Sequence, residues 1–563
     1  MAAEVDSATI IVNARVPTSI SPTVKPRRGR VLFFVTLALL GIIALVIWLA
    51  VALQSKRVDD FPAVDYGFPK CYTSFVDYNG AWINEPPVDQ SMLTASNQGT
   101  ELRPVTGQSL LPYAGFAVED CTATAAPLLA LGPHFVGLGL TEYRPTTAMH
   151  AFPDAFVGSL FVTSHGSWNR VPWLGYRVDA IDIDFSRVPY RVNSRAVFVP
   201  PMRVLGSGGV DQFDPPRTHE DYEAIRPVDV RSSPVDGSLL MTADRDDYMS
   251  AETGHNTGGL YRIRYGAPSM EIEPSTGGEA VIPRTRWPLD GVIGGDRAFS
   301  LERLAVLPCA RQMTHSRTTP RLLYVSTLKE FCSHTGSQGE QTKIDRGAVW
   351  VVELDVNSGR VLRKARVIEW LLDPQGIDWA NNTLYIATSG RGGLQRGNSV
   401  LRVRDIDTIA ESVLANPHTA LQGEDARIED VLTNFTSLQA EGHSKGHAWR
   451  SLRVTPSGTH ALVQIGSDCN WASDCVANAT SEHTNLLAIN VATGRYAAIG
   501  KGIRNAVGMH FDRNGNFLWI DNGSDMGEGM PGAPAVGNDE HGNRPDGELN
   551  VLYSETLSQL QSI

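Results

Sequence analysis

The chain lacks the basic excess that a nucleic-acid partner demands. Its 563 residues carry 49 Lys and Arg against 61 Asp and Glu, a formal charge of −12. Phosphate backbones are held by basic faces, so no nucleic-acid partner is expected. Zinc-site grammar is also missing. No CxxC spacing occurs, and His443 and His447, four apart in EGHSKGHAWRSL, come without the glutamate of an HExxH helix. Their stretch runs into a strand, so a zinc pair is not expected there. Cysteine is scarce, at six residues. Segments between turns are short and leave little room for helix. What the chain has in quantity is turn residues, 52 Gly and 33 Pro, as suits a β-rich protein.

The organising stretch is 504–525, RNAVGMHFDRNGNFLWIDNGSD. It reads as strand, Asn-Gly turn, apolar strand and polar loop. The same grammar recurs as GLGL to GSLFVTSHGS, RPVDV to SLLMTADRD, LERLAV to RLLYVSTLKE, PQGIDW to TLYIATSGRG, and WRSLRV to HALVQIGSD. A further apolar strand follows each, such as GYRVDAIDI, GGLYRIRY or GAVWVVEL. Copies start roughly 55 to 90 residues apart, a spacing that signals radial or solenoid repetition. Six copies of mostly strand predict an all-β, six-bladed β-propeller over residues 66–563. A two-sheet sandwich is the alternative.

Residues 1–30 read as a disordered cytoplasmic tail ending in Lys25, Arg27, Arg28 and Arg30. The uncharged run 31–53, VLFFVTLALLGIIALVIWLAVAL, follows. At ~1.5 Å per residue it is long enough to cross a ~30 Å hydrocarbon core. It exceeds the ~7–15 residues of a signal-peptide core. The basic residues before it predict a cytoplasmic N-terminus and a single-pass type II membrane protein. Residues 54–65 then read as a stalk, and the propeller as extracellular or luminal.

That compartment suits disulfides. Neighbours in sequence suggest the pairs Cys71 with Cys121, Cys309 with Cys332, and Cys469 with Cys475. N-x-S/T sequons stand at Asn381, Asn434, Asn478 and Asn522. The first three are expected to be glycosylated. Asn522 lies in a loop read as functional and is expected to stay unmodified.

The loops after the second strands should share one mouth of the ring. Arg170, Arg226, Arg450 and Arg504 begin or flank strands near them. Such a cluster in an acidic protein suggests an anionic small molecule held through its carboxylates. The other reading is that these arginines pair with Asp229, Asp521 or Asp525 and tie blades together. His447 at a strand's mouth reads either as a general base or as a solvated loop histidine.

HGSWNRVPWLGYRV, GIRNAVGMHF, LWIDNGSD and GELN resemble the sorbosone/glucose dehydrogenase family, quinoproteins that use pyrroloquinoline quinone (PQQ) and calcium. KGHAWRSLRVTPSGTHALVQIGSDCN is similar to its fungal sorbosone and pyranose dehydrogenase branch. The resemblance covers nearly all of 62–563. It implies a membrane-anchored oxidoreductase acting on the anomeric hydroxyl of an aldose. It assigns His447 as base, and Arg504, Asn505, Arg226, Asn522 and Arg170 as cofactor contacts. The carbonyls of Gly523 and Ser524 become calcium ligands. The electron acceptor is left open. The motif order differs from the family's, YGFPKC, HGSWNR and RPVDV coming first, so the chain resembles a circular permutant. The alternative function is a non-catalytic extracellular propeller that binds a protein or glycan.

Overall fold

The computed structural model describes residues 56–58, 61–66, 71–74, 101–104, 124–133, 135–145, 149–166, 175–199, 202–204, 210–212, 225–244, 258–265, 285–287, 297–328, 346–389, 398–433, 450–467, 484–522 and 546–563. The chain divides into Met1–Lys56 and Arg57–Ile563, and everything below concerns the second unit. The run 31–53 lies outside the described residues. Among those described, no helix is long and apolar enough to cross a membrane.

Six sheets of four or five strands form the blades of a β-propeller. Their inner strands are Gly137–Glu142, Arg226–Ser232, Ala310–His315, Pro374–Ala380, Leu452–Val454 and Ala506–Phe511. Their second strands are Leu160–Ser164, Leu239–Asp244, Leu322–Thr327, Thr383–Thr388, His460–Ile465 and Phe517–Asp521. The second strands are apolar because both faces are covered. Leu518 and Ile520 pack toward blade 1, while Phe517 and Trp519 pack toward blade 5. The core is therefore a set of layers, one between each pair of neighbouring blades.

Blade 6 closes the ring with both ends of the chain. Its first three strands come from the C-terminal side, ending with Asp546–Leu552, and its outer strand is Leu129–Pro133. The Tyr66 hydroxyl donates to the Val551 carbonyl at 3.2 Å, and its ring stands edge-on to Trp519 at 4.6 Å. Val64–Asp65 pairs in parallel with blade 5, so part of the segment read as a stalk lies on a sheet edge.

Two readings change. LERLAV does not open blade 3. It belongs to Arg297–Val306, which pairs outside Gly259–Tyr265 in blade 2. A turn through Cys309, at φ 52°, then starts the true inner strand, ARQMTH. Gln312 reaches across the axis to Val507, Thr314 bonds to Asp378 of blade 4 and His315 to its own hairpin, so the strand carries no apolar run. Helix does find room: Ile406–Ala415 lies between the third and fourth strands of blade 4, burying Ile406, Ala410, Val413 and Leu414 at helical spacing.

At the axis, inner strands expose backbone groups that need partners. Arg453 of blade 5 donates to the carbonyls of Ile377 (3.0 Å) and Met509 (2.9 Å) and to Gln312 Oε1 (3.3 Å). Its guanidinium also lies 3.6 Å from Asp229. Arg231 of blade 2 reaches the carbonyls of Met313 (3.2 Å) and Leu140 (3.0 Å). Gln312 donates to the Val507 carbonyl at 3.2 Å. These three side chains bridge all six blades. Second-strand hydroxyls repeat the device between neighbours. Thr163 donates to Val228 O, Thr242 to Arg311 O, and Ser326 to Gln375 O, at 2.9, 2.6 and 2.7 Å. Gly139 and Gly376 allow the close approach: a Cβ on Gly139 would stand 2.6 Å from the Asp229 Cα, and one on Gly376 would run into Arg450 O and Leu452 N.

Replacing Arg453 by Met strands several buried carbonyls and removes one of two cations beside Asp229. The expected cost is about 3–5 kcal/mol, read as a lower urea midpoint. A midpoint equal to wild type would remove Arg453 from this role.

Candidate functional site

The mouth where inner strands begin gathers cations from several blades. Arg226 opens the inner strand of blade 2, Arg311 lies one residue into that of blade 3, and Arg450 and Arg504 stand two residues before those of blades 5 and 6. All four are buried. In five of the six inner strands the pairing register slips within the first few residues, as at Pro227/Asp229, Ala310/Met313 and Ala506/Met509. Bulges of this kind re-aim side chains.

Arg226 is held by blade 1. Its Nη1 lies 3.4 Å from His165 Nδ1, its Nη2 donates to the Tyr176 hydroxyl at 3.2 Å, and its guanidinium sits 5.1 Å from that ring's centre. Gly166, at φ 101°, leaves room for the Tyr176 ring, which a Cβ would strike. Burial, then the charges of Arg226 and Arg311, hold His165 protonation far below its usual range. His165 is thus a neutral imidazole beside a fixed cation.

Blade 6 supplies an Arg-Asn turn pinned by one carboxylate. Asp521 accepts the backbone N–H groups of Arg504 (2.8 Å) and Asn505 (2.6 Å). Arg504 Nη1 donates to Asn522 O at 3.0 Å, and Asn522 Nδ2 to Asn505 O at 3.3 Å. Oδ1 of Asn505 and Oδ1 of Asn522 are buried with no hydrogen-bond partner among the described residues. Buried acceptors are seldom left so, and the pair marks a place suited to a donor or cation. In blade 4, Gln375 donates to the Ser389 hydroxyl at 2.8 Å. Arg450 donates to Asn398 Oδ1 at 3.4 Å.

Burial penalises these charges. It pushes the Arg450 guanidinium down to about 10. It pushes Arg311 down to about 9 despite the opposing charge of Asp373. It pushes the Asp521 carboxyl up to about 6. Buried cations of this kind favour an anion that arrives with its own charge and acceptors.

Arg226, Arg504, Asn505 and Asn522 therefore meet at one mouth. His447, Arg170, Gly523 and Ser524 lie outside the described residues, as does most of each loop after a second strand. So do Asn434, Asn478, Cys121, Cys332, Cys469, Cys475 and Asp525. Asp229 answers Arg231 and Arg453 rather than a mouth arginine, whereas Asp521 does hold the Arg504 turn. Cys309 is disulfide-bonded. Asn381 is exposed in the hairpin between the first two strands of blade 4. Sequence reasoning missed Arg311, because ARQM was not read as a strand. It also missed His165 and Tyr176, which lie within the quoted HGSWNRVPWLGYRV.

The fold and mouth define a six-bladed β-propeller with four buried arginines at one mouth. No family model matches the chain. A curated relative, an uncharacterized protein of Borreliella burgdorferi, is 26% identical over 174 residues, which span 31% of this chain and 40% of that protein. Similar solved structures include the holo PQQ domain of a pyranose dehydrogenase from Coprinopsis cinerea, at 16% identity and TM-score 0.28, covering 50% of this chain and 53% of that one. A calcium structure of a Carbohydrate-Active Enzymes family AA12 protein from Trichoderma reesei is 21% identical at TM-score 0.30, covering 44% and 53%. A calcium-binding regucalcin from Agrobacterium tumefaciens is 12% identical at TM-score 0.37, covering 76% and 95%. These TM-scores are too low to carry function.

Between pH 3.8 and about 6 the folded chain holds the Asp521 proton more tightly than the unfolded chain does. Asp521 therefore contributes stability below that window which is lost as pH rises through about 6. The difference in unfolding free energy between wild type and Asp521→Asn should change across this window and be flat above pH 7. A difference independent of pH would show an ordinary carboxylate.

Proposed function

We propose that the chain is a membrane-anchored quinoprotein that oxidises the anomeric hydroxyl of an aldose, with PQQ and calcium. The observation that carries this reading is the buried set Arg226, Arg311, Arg450 and Arg504 at one mouth, beside amide oxygens of Asn505 and Asn522 that have no hydrogen-bond partner among the described residues. A planar tricarboxylate fits such donors, and a hard cation fits oxygen ligands. Arg226, Arg504, Asn505, Asn522 and Arg170 would hold the cofactor, and the carbonyls of Gly523 and Ser524 would hold calcium. When bound, PQQ supplies the two-electron acceptor and calcium a Lewis acid for it.

The chain's own residues bind, orient and move the proton. His447 would take the proton from the anomeric hydroxyl as general base. His165, held neutral against Arg226, would orient rather than titrate. Arg504, tied to Asn522 O, would present a fixed charge to a carboxylate. The inner and second strands put this pit at one end of a packed ring, away from bulk water. The span 31–53 would anchor the chain as a type II protein with its propeller outside or in the lumen. Glycans at Asn381, Asn434 and Asn478 and disulfides such as Cys309–Cys332 would suit that side. We read the motif order as a circular permutation of the family's.

The test is reconstitution of the full-length protein with PQQ and calcium. Aldoses should drive dye reduction. His447→Ala should abolish turnover while keeping PQQ binding. Arg504→Met should weaken PQQ binding at least ~10-fold, for one lost charged hydrogen bond. No PQQ binding at micromolar concentrations would leave the propeller as a binding protein for another ligand.

A further inference from the structure

The opposite mouth, where inner strands end, carries a second set of cations. Four neighbouring blades contribute. Arg144 follows the blade 1 strand by two residues, Arg231 lies near the end of the blade 2 strand, Arg317 follows the blade 3 strand by two residues, and His510 ends the run AVGMH in blade 6. Inner strands run in one direction through the ring, so these positions share one end of the channel. The tight hairpins 233–238, 316–321 and 512–516 bring them there.

Their acids are already engaged. Glu142 pairs with both Arg144 and Arg513. Asp229 pairs with Arg231, and Asp236 with Arg262. Asp378 accepts the Val454 N–H at 2.8 Å and the Thr314 hydroxyl at 3.0 Å. Arg317 is exposed and has no ion pair among the described residues. Nε2 of His510 is buried and has no hydrogen-bond partner among them. Burial and the charges of Arg231, Arg144 and Arg317 hold this imidazole neutral, so Nε2 can carry a proton and donate it in a hydrogen bond. A guanidinium and an N–H donor, backed by two more guanidiniums, make a set that matches tetrahedral oxyanion oxygens.

We propose that this mouth is a binding site for a phosphate-sized oxyanion, free or carried on a small phosphate monoester. Arg317 and His510 make the direct contacts, and Arg144 and Arg231 supply the field. The site stands apart from the PQQ reading, since it lies at the other end of the inner strands.

The experiment titrates inorganic phosphate into the full-length protein at fixed ionic strength, with chloride as control and glycerol 2-phosphate as the monoester arm. It reads the phosphorus-31 line width and the Tm. Wild type and Arg504→Ala should both broaden the phosphate line and gain Tm. Arg317→Ala, an exposed position that should fold normally, should bind at least ~10-fold more weakly. His510→Gln, which keeps a donor, should bind more tightly than His510→Leu. A response unchanged in Arg317→Ala, abolished in Arg504→Ala alone, or absent from wild type would overturn the site. A response to glycerol 2-phosphate but not to phosphate would assign the monoester as the ligand and keep the site.

Discussion

The ring depends on how its axis satisfies the backbone. Six inner strands meet there edge-first, and each edge offers N–H and C=O groups that no neighbouring strand can pair. Arg453, Arg231 and Gln312 answer carbonyls on four other blades, and Asp229 and Asp378 answer the N–H groups of Met313 and Val454. A packed apolar axis would leave those groups unsatisfied. A water-filled one would hydrate them but would not tie one blade to another. Charged side chains do both, at the cost of burying ions that must then neutralise each other. Asp229 between Arg231 and Arg453 is that neutralisation.

The axis also places the mouth. Arg450 is three residues from Arg453, Arg311 adjoins Gln312, and Arg226 precedes Asp229 and Arg231 on one strand. Three of the four mouth cations, Arg226, Arg311 and Arg450, thus stand on or just before a strand whose depth is set by a hub residue. In blades 2, 3 and 6 a register slip falls within a few residues of Arg226, Arg311 and Arg504, a device that re-aims side chains while the rest of the strand keeps its pairing. The precision of the site therefore comes from the packed ring beneath it.

Much of this was legible in the sequence, for a physical reason. Second strands such as FLWI, LFVT and LLYV are buried on both faces, so their apolar runs stand out and they mark the blade count. The inner strands are harder to read, because one side faces an axis that needs polar groups. ARQMTH carries Arg, Gln, Thr and His and resembles a loop, whereas LERLAV, in the strand paired outside Gly259–Tyr265, has the apolar residues that make a strand easy to read. The hydroxyl that bridges blades did leave a trace: Thr163, Thr242 and Ser326 occupy one position in LFVT, LLMT and LYVS. Blades 4 to 6 break the pattern with Ala387, Gln464 and Ile520, which hides it. Arg226, Arg504, Asn505 and Asn522 could be placed from local grammar, since each sits beside a turn or strand end. His165 and Tyr176 could not be paired with Arg226 from spacing alone, because a blade boundary separates them.

The two mouths differ in how they treat charge, and that difference bears on what each can do. At the first, Arg311 and Arg450 are deeply enough buried that their charged forms are penalised, and the field of Arg226 and Arg311 holds His165 neutral. A site in that condition stores free energy which an anionic guest releases on binding, so guest and fold must stabilise each other. At the second, the acids are paired, Arg317 is in solvent, and the ends of the hairpins are short. An ion there would exchange freely and would stabilise the ring only as far as its occupancy allows. On the two proposals, a tightly held organic anion would sit at the first mouth and a rapidly exchanging one at the second, because burial sets how much each cation gains from a partner.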